Sequence, residues 1–227
     1  MKLAAIVVSL TIGSVAAWQP VAAAELGIYA AGYYGQANKD VSQQPFDDFA
    51  ALVYGDFGFT PTQSTTTFDK KDSSYGFGVG YRFLRNLAIE GGYLELGDLS
   101  YRNASAGTQG DETPGNWRQH LDSGTSGITL SILGVLPVTY RWELYVRGGV
   151  MFSSNQLDIF ITDGEQNARS RSTQSGIDML AGAGAAFTFA EIYALRFEYQ
   201  RVFDAGERET GPEADVDLMS VGVTVSF

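Results

Sequence analysis

The residues Asp217–Phe227 alternate strictly. Met219, Val221, Val223, Val225 and Phe227 fall on one face of an extended chain, and Leu218, Ser220, Gly222, Thr224 and Ser226 fall on the other. Successive side chains of a strand point to opposite faces, so this is one apolar face and one small, mixed face. A strand of about ten residues with one lipid-compatible face has the length that a tilted β-strand needs to cross a bilayer. Other segments repeat the pattern, which points to a membrane-spanning β-barrel.

The opening residues carry a different signal. Met1-Lys2 precedes an apolar run from Leu3 to Val15, followed by the small residues Ala22-Ala23-Ala24. One positive charge, an apolar stretch short of the ~20 residues of a helical span, and an A-x-A site describe a secretory signal peptide. The expected signal is residues 1–24, with cleavage after Ala24 or, alternatively, at Val15-Ala16-Ala17. No later apolar run reaches helical span length, so membrane segments must be strands. The chain has no cysteine, which excludes disulfides and an acylated N-terminal cysteine. Residues 25–227 fit one all-β domain. A net charge of −11 argues against nucleic acid as a partner and offers no basic footprint for anionic surfaces.

Alternating segments are separated by connectors of two lengths. Leu26–Ala37 is a first strand, followed by a polar, acidic stretch from Asn38 to Asp72 read as a long loop. Tyr75–Phe83 alternates large apolar residues with Gly and Arg, and Leu84-Arg85-Asn86 turns it into a strand from Leu87. Asn103–Ser123 reads as a second loop, and a strand near Gly124–Leu136 follows. Pro137–Arg141 is a short connection to the alternation Trp142–Val150. Ile159–Ser172 is a third loop before a Gly/Ala-rich strand near Gly176–Thr188. Phe189-Ala190-Glu191 is the third short turn, Tyr193–Gln200 alternates again, and Ala205–Ala214 is the last loop. The expected fold is therefore all-β, an eight-stranded antiparallel up-and-down transmembrane barrel. Short turns and both ends of the mature chain face the periplasm, and long loops face outward. Register stays open in strands four and six, where Leu, Ile and Ala occupy both faces.

A soluble lipocalin-like barrel also alternates, with its apolar face inward. Here the face opposite the apolar one carries Gly76, Gly78, Gly80, Gly92, Gly149 and Gly222. Small residues suit the crowded interior of an eight-stranded barrel, and they are a poor choice for a solvated sheet face. Tyr29, Tyr75, Phe83, Tyr93, Trp142, Tyr193, Tyr199 and Phe227 gather toward strand ends as interfacial girdles do. The apolar face is read as lipid-facing.

On these residues the chain resembles the OmpA-type eight-stranded outer-membrane barrels. The likeness is closest at Trp142-Glu-Leu-Tyr-Val-Arg147 with Gly148-Gly149, and at Ala194-Leu-Arg-Phe-Glu-Tyr-Gln200. It implies residence in the outer membrane of a Gram-negative bacterium, among outer-membrane lipid and lipopolysaccharide. It also implies insertion by the barrel-assembly machinery, with Phe227 as the assembly signal. No peptidoglycan-binding domain is expected, since the sequence stops with the barrel.

Arg82, Glu90, Glu143, Arg147, Arg196 and Glu198 fall on the inward face near periplasmic turns, three bases and three acids. Arg82 and Glu90 are diagonal neighbours across the first turn, within reach of long side chains. Charges in a confined lumen are costly unless paired, which a balanced network achieves. The resemblance implies that Glu90, Arg147 and Arg196 belong to an internal ion-pair cluster that plugs or gates a narrow path. At the position where the family carries an acid in strand six, this sequence has Ala185.

His120, the sole histidine, is read as solvated in the second loop beside Asp122 and Ser123, without the fixed geometry of a triad. Asp111-Glu112 and Asp163-Gly-Glu165 lack the ligand spacing of a calcium site. Gly182-Ala-Gly184 precedes no helix and is not a phosphate loop. No enzyme, metal or cofactor is expected. The function expected is that of a structural and interaction protein displaying acidic external loops, with a narrow low-conductance pore gated by the ion-pair cluster as the alternative.

Overall fold

Backbone groups in a bilayer core have no water to bind, so strands cross it only in a sheet without edges. The chain meets this demand. The computed structural model describes residues 26–110, 113–205 and 214–227. The expected signal peptide and the Asp111-Glu112 pair lie outside them. The described elements are β1 (Gly27–Lys39), α1 (Gln44–Asp56), β2 (Phe59–Asp69), β3 (Lys71–Leu84), β4 (Leu87–Gln109), β5 (Thr113–Pro137), β6 (Trp142–Thr162), β7 (Asn167–Ala190), β8 (Tyr193–Ala205) and β9 (Ala214–Ser226). Each strand except β2 pairs antiparallel with two neighbours in the ring, β4 also takes β2 along its outer part, and β1 closes the ring against both β3 and β9. Eight strands therefore form the barrel. No helix among the described residues is long and apolar enough to span a membrane.

The rows of this sheet mark where lipid ends. Tyr93, Ile128, Phe152 and Ile177 pair side by side on the outer face of four adjacent strands. Two residues further out, the row reads Glu95, Ser126, Ser154 and Ser175. A step from all apolar to all polar across neighbouring strands is an interface with the headgroups. Two methionines show which face is which: Met179 is 71% exposed on the outer face, and Met151 is fully buried inside. The open registers are also fixed. Ile128, Leu130 and Ile132 point out while Thr129, Ser131 and Leu133 point in, and Gly182, Gly184 and Ala186 line the lumen between outward Ala183, Ala185 and Phe187.

Three of the expected loops are different. Asn38–Asp72 contains α1 and β2, and β2 pairs with the outer part of β4. Asn103–Ser123 and Ile159–Ser172 are mostly strand, because β4 through β7 run 23, 25, 21 and 24 residues and carry their ladders well past the lipid boundary. Beyond the boundary no lipid face exists, so the apolar/polar alternation that marks a membrane strand fades while the hydrogen-bond ladder continues. In β4 the alternation also slips by one residue between Glu95 and Asp98, where Gly97 takes a φ of +69° in a bulge.

Tyr29 is a further correction. It was expected in the lipid-facing girdle, but it is 9% exposed and points into the lumen. Tyr75, Phe83, Trp142, Tyr199 and Phe227 are exposed. The backbone N–H of Phe227 donates to the carbonyl of Ile28 at 2.9 Å, which ties β9 to β1 at the periplasmic end.

Candidate functional site

Glycine makes room for the lumen's largest side chains. The rings of Tyr29, Tyr33 and Tyr145 lie where a Cβ on Gly80, Gly76 and Gly184 would have to stand. With that space the phenols of Tyr29 and Tyr145 reach the charges. All six expected luminal residues occupy the periplasmic half of the barrel, in two groups.

In the first group, Arg82 holds Glu143 through two bonds of 3.0 Å each and also donates Nε–H to the carbonyl of Arg85 at 3.1 Å. Its partner is thus Glu143, not the diagonal Glu90 suggested by the hairpin. The second group is a square. Glu90 accepts from Arg147 and from Arg196, the latter at 2.9 Å. Glu198 lies 2.9 Å from Arg147 and 3.1 Å from Arg196. Tyr29 donates to Glu90 at 3.1 Å and Tyr145 to Glu198 at 2.8 Å. The Arg196 guanidinium also sits over the Tyr145 ring, 4.7 Å from its centroid. Two cations, two anions and two phenols offset one another, the Arg147 Nε–Glu198 Oε1 contact as an ion pair without hydrogen-bond alignment, which is how buried charge is tolerated in a low-dielectric interior. Ala185 is not in this lumen. It pairs with outward Leu144 and Phe197, and Glu198 of the next strand supplies the second carboxylate.

On the periplasmic side of the charges is a cavity of about 300 Å³ lined by Arg82, Glu143, Arg196, Thr224 and Phe227 among others. On the external side lies an apolar layer of Leu94, Leu96, Met151, Leu180, Val202 and Leu218, with Tyr33 packed against it. Above that, buried Lys39 donates to the carbonyl of Ser123 at 2.8 Å.

The outer mouth is closed by a second core that sequence reasoning missed. Phe46, Ala50, Val53 and Tyr54 of α1 pack on Phe59, Leu99, Tyr101, Trp117 and Leu121, and the cluster reaches Ala214 across the ring. Tyr101 donates to Asp47 at 2.8 Å, and Tyr54 to Asn103 at 2.5 Å. The signal was present in the sequence: Pro45 opens the segment, and Phe46, Ala50, Val53 and Tyr54 recur at helical spacing.

His120 belongs to β5 rather than a loop, and its ring meets Phe160 at 5.9 Å. Strand alternation puts Asp122 on its face and Ser123 on the opposite one. Asp163 is engaged in its own turn, accepting N–H groups from Glu165 at 2.9 Å and Gln166 at 2.6 Å. Those bonds hold its carboxyl below the usual range.

A closed eight-stranded ring with a lipid-compatible exterior, a filled lumen and a folded external cap defines a transmembrane β-barrel of the outer-membrane type. The model of the OmpA-like transmembrane domain matches residues 23–227, and the chain belongs to that family. It is an outer-membrane protein. It is 29% identical over 196 residues to outer membrane protein A of Yersinia pseudotuberculosis, covering 82% of this chain and 51% of that one. To outer membrane protein A of Serratia marcescens it is 24% identical over 151 residues, covering 66% and 38%. The chain thus spans about half or less of the length of these relatives. Among solved structures, Neisserial surface protein A aligns with a TM-score of 0.48 at 14% identity, covering 88% of this chain and 97% of that one. OprG of Pseudomonas aeruginosa aligns with a TM-score of 0.46 at 14% identity, covering 90% and 98%.

Proposed function

We propose that the protein is a non-conducting structural and interaction barrel whose working surface is the folded platform above the outer leaflet. The observation that carries this reading is the stack of closures along the lumen: the Arg/Glu square, the apolar layer, and α1 across the mouth. Ions crossing such a layer would lose most of their hydration, with few polar side chains at that depth, buried Asp178 beside Met151 and Gln200 beside Leu218 among them. Its surroundings in this reading are outer-membrane lipid and lipopolysaccharide, with the barrel-assembly machinery as partner during insertion. No catalytic role is assigned. Hydrolysis by His120, Asp122 and Ser123 is opposed by the placement of Ser123 on the opposite face of β5 from the other two.

The second reading, a narrow pore gated by the ion pairs, draws support from the periplasmic cavity that ends at Arg82, Glu143 and Arg196. It requires the apolar layer and α1 to part as well. Single-channel recording in planar bilayers separates the two. Wild type and Arg196→Ala are both expected to be silent. Sustained unitary currents from wild type, altered by Arg196→Ala, would replace the structural reading with the pore.

A further inference from the structure

The net charge of −11 conceals a local reversal. On the outward face of the external sheet, Arg102, His120, Phe160 and Arg169 lie side by side in one row across β4, β5, β6 and β7. Arg118 stands in the next row out, beside Thr162, and Arg171 in the next row in, beside Asp158. Arg102 and Arg118 are exposed, and the side chains of Arg169 and Arg171 are 65% and 57% exposed. Four arginines thus face three aspartates, Asp69, Asp122 and Asp158. Arg171 and Arg169 contact Asp158 at 2.8 and 3.4 Å, while Arg102 and Arg118 have no ion pair among the described residues. Asp69, at the far edge, accepts the backbone N–H of Lys71. From Arg102 to Arg169 is about 14 Å at the ordinary spacing of strands, so flexible guanidinium groups from both sides can converge over Phe160.

The height of this face selects its ligand. The row of His120 and Phe160 is six residues beyond the polar boundary row of Ser126 and Ser154. At about 3.3 Å per residue and a tilt of about 40°, that is roughly 15 Å above the edge of the hydrocarbon, on the side facing the surrounding leaflet. We infer that Arg102, Arg118, Arg169 and Arg171 form a binding face for the phosphate-bearing saccharide headgroup of glycolipid in the leaflet where the barrel stands. Guanidinium suits this role because its planar fork matches phosphate oxygens in pairs, and the half-buried ring of Phe160 between the cations offers a floor for a sugar ring. The inference deepens the reading of the external platform as the working surface. A conducting lumen would overturn that reading without touching this one.

The test uses the full chain folded in detergent and titrated with purified phosphorylated lipopolysaccharide, the same glycolipid after enzymatic removal of phosphate, and soluble heparin. Arg102→Glu with Arg169→Glu is expected to weaken binding of the phosphorylated glycolipid about tenfold or more, as is phosphate removal for wild type. Arg85→Glu, on a periplasmic turn, is expected to bind as wild type does. Heat-modifiable migration reports that each variant is folded, and Arg102→Gln with Arg169→Gln replaces the double reversal if it is not. Unchanged affinity in the folded double variant, or indifference to phosphate removal, would overturn the inference. Heparin binding as tightly as the glycolipid would assign the face to a free polyanion and overturn the commitment to lipid.

Discussion

Arg196 of β8 and Glu90 of β4 meet at 2.9 Å although their strands stand on opposite sides of the ring. The pair is a strut across the lumen. Glu90 also takes Arg147, so losing its charge leaves two buried guanidinium groups to share Glu198. Glu90→Ala is expected to cost about 3–5 kcal/mol, the range for orphaning a buried charge. Urea titration followed by gel mobility should show the loss. The double variant Glu90→Leu with Arg196→Leu should lose less than the two single variants together.

Gly80 gives its space to the Tyr29 ring, which then reaches Glu90. Gly80→Val is expected to displace that ring and destabilise the barrel by about 1–3 kcal/mol, the usual cost of overpacking. Tyr29→Phe keeps the ring and loses one hydrogen bond to a carboxylate, with an expected cost of about 1.5–3 kcal/mol. Equal urea midpoints for Gly80→Val and wild type would contradict this packing account.

Trp117 meets Tyr54, Phe57 and Phe59 with centroids 6.1, 5.1 and 5.7 Å away. Trp117→Ala is expected to remove about 3–5 kcal/mol from the external core. The effect should be local: limited proteolysis cuts within residues 40–58, while heat-modifiable migration of the barrel is unchanged. Loss of that migration would mean the cap and the barrel fold as one unit.

Asp158 accepts three bonds from the Arg171 guanidinium, two from Nε and one from Nη2, which, with Arg169 nearby, hold its carboxyl below the usual range. A carboxyl depressed in the folded state adds stability above its unfolded value, about 3.9, and that contribution fades as pH falls through the lower folded value. The β6–β7 hairpin should therefore be indifferent to pH from 7 to about 4 and loosen below it. Carboxyl NMR titration is expected to return Asp158 to the ordinary range in Arg171→Ala. An unaltered titration midpoint in that variant would refute the assignment.

Alternation made the barrel legible because lipid outside and a crowded lumen inside impose opposite demands on successive residues. It also put Arg82, Glu90, Glu143, Arg147, Arg196 and Glu198 on one face. Partner choice was not legible. Arg82 and Glu143 are brought together by closure of the ring, and local spacing favoured Glu90 instead. Tyr29 misled for a related reason: an aromatic near a strand end fits a girdle, and only the empty place over Gly80 draws it inward. Past the boundary at Ser126 and Ser154, water on the outer face removed the apolar half of the pattern, so strands read as loops. The helix at Gln44–Asp56 did leave its period in the sequence, obscured by the acidic residues around it.

The ladders of β4 through β7 run unbroken in pairing from the periplasmic turns to the external hairpins, apart from the one bulge at Gly97. A tug on the platform acts along the strands, whereas the bonds between them lie across that direction. Many bonds must then slip together, where a peeling force would break them one by one. The platform is a mast stepped into the membrane, and whatever seizes it pulls against the whole barrel.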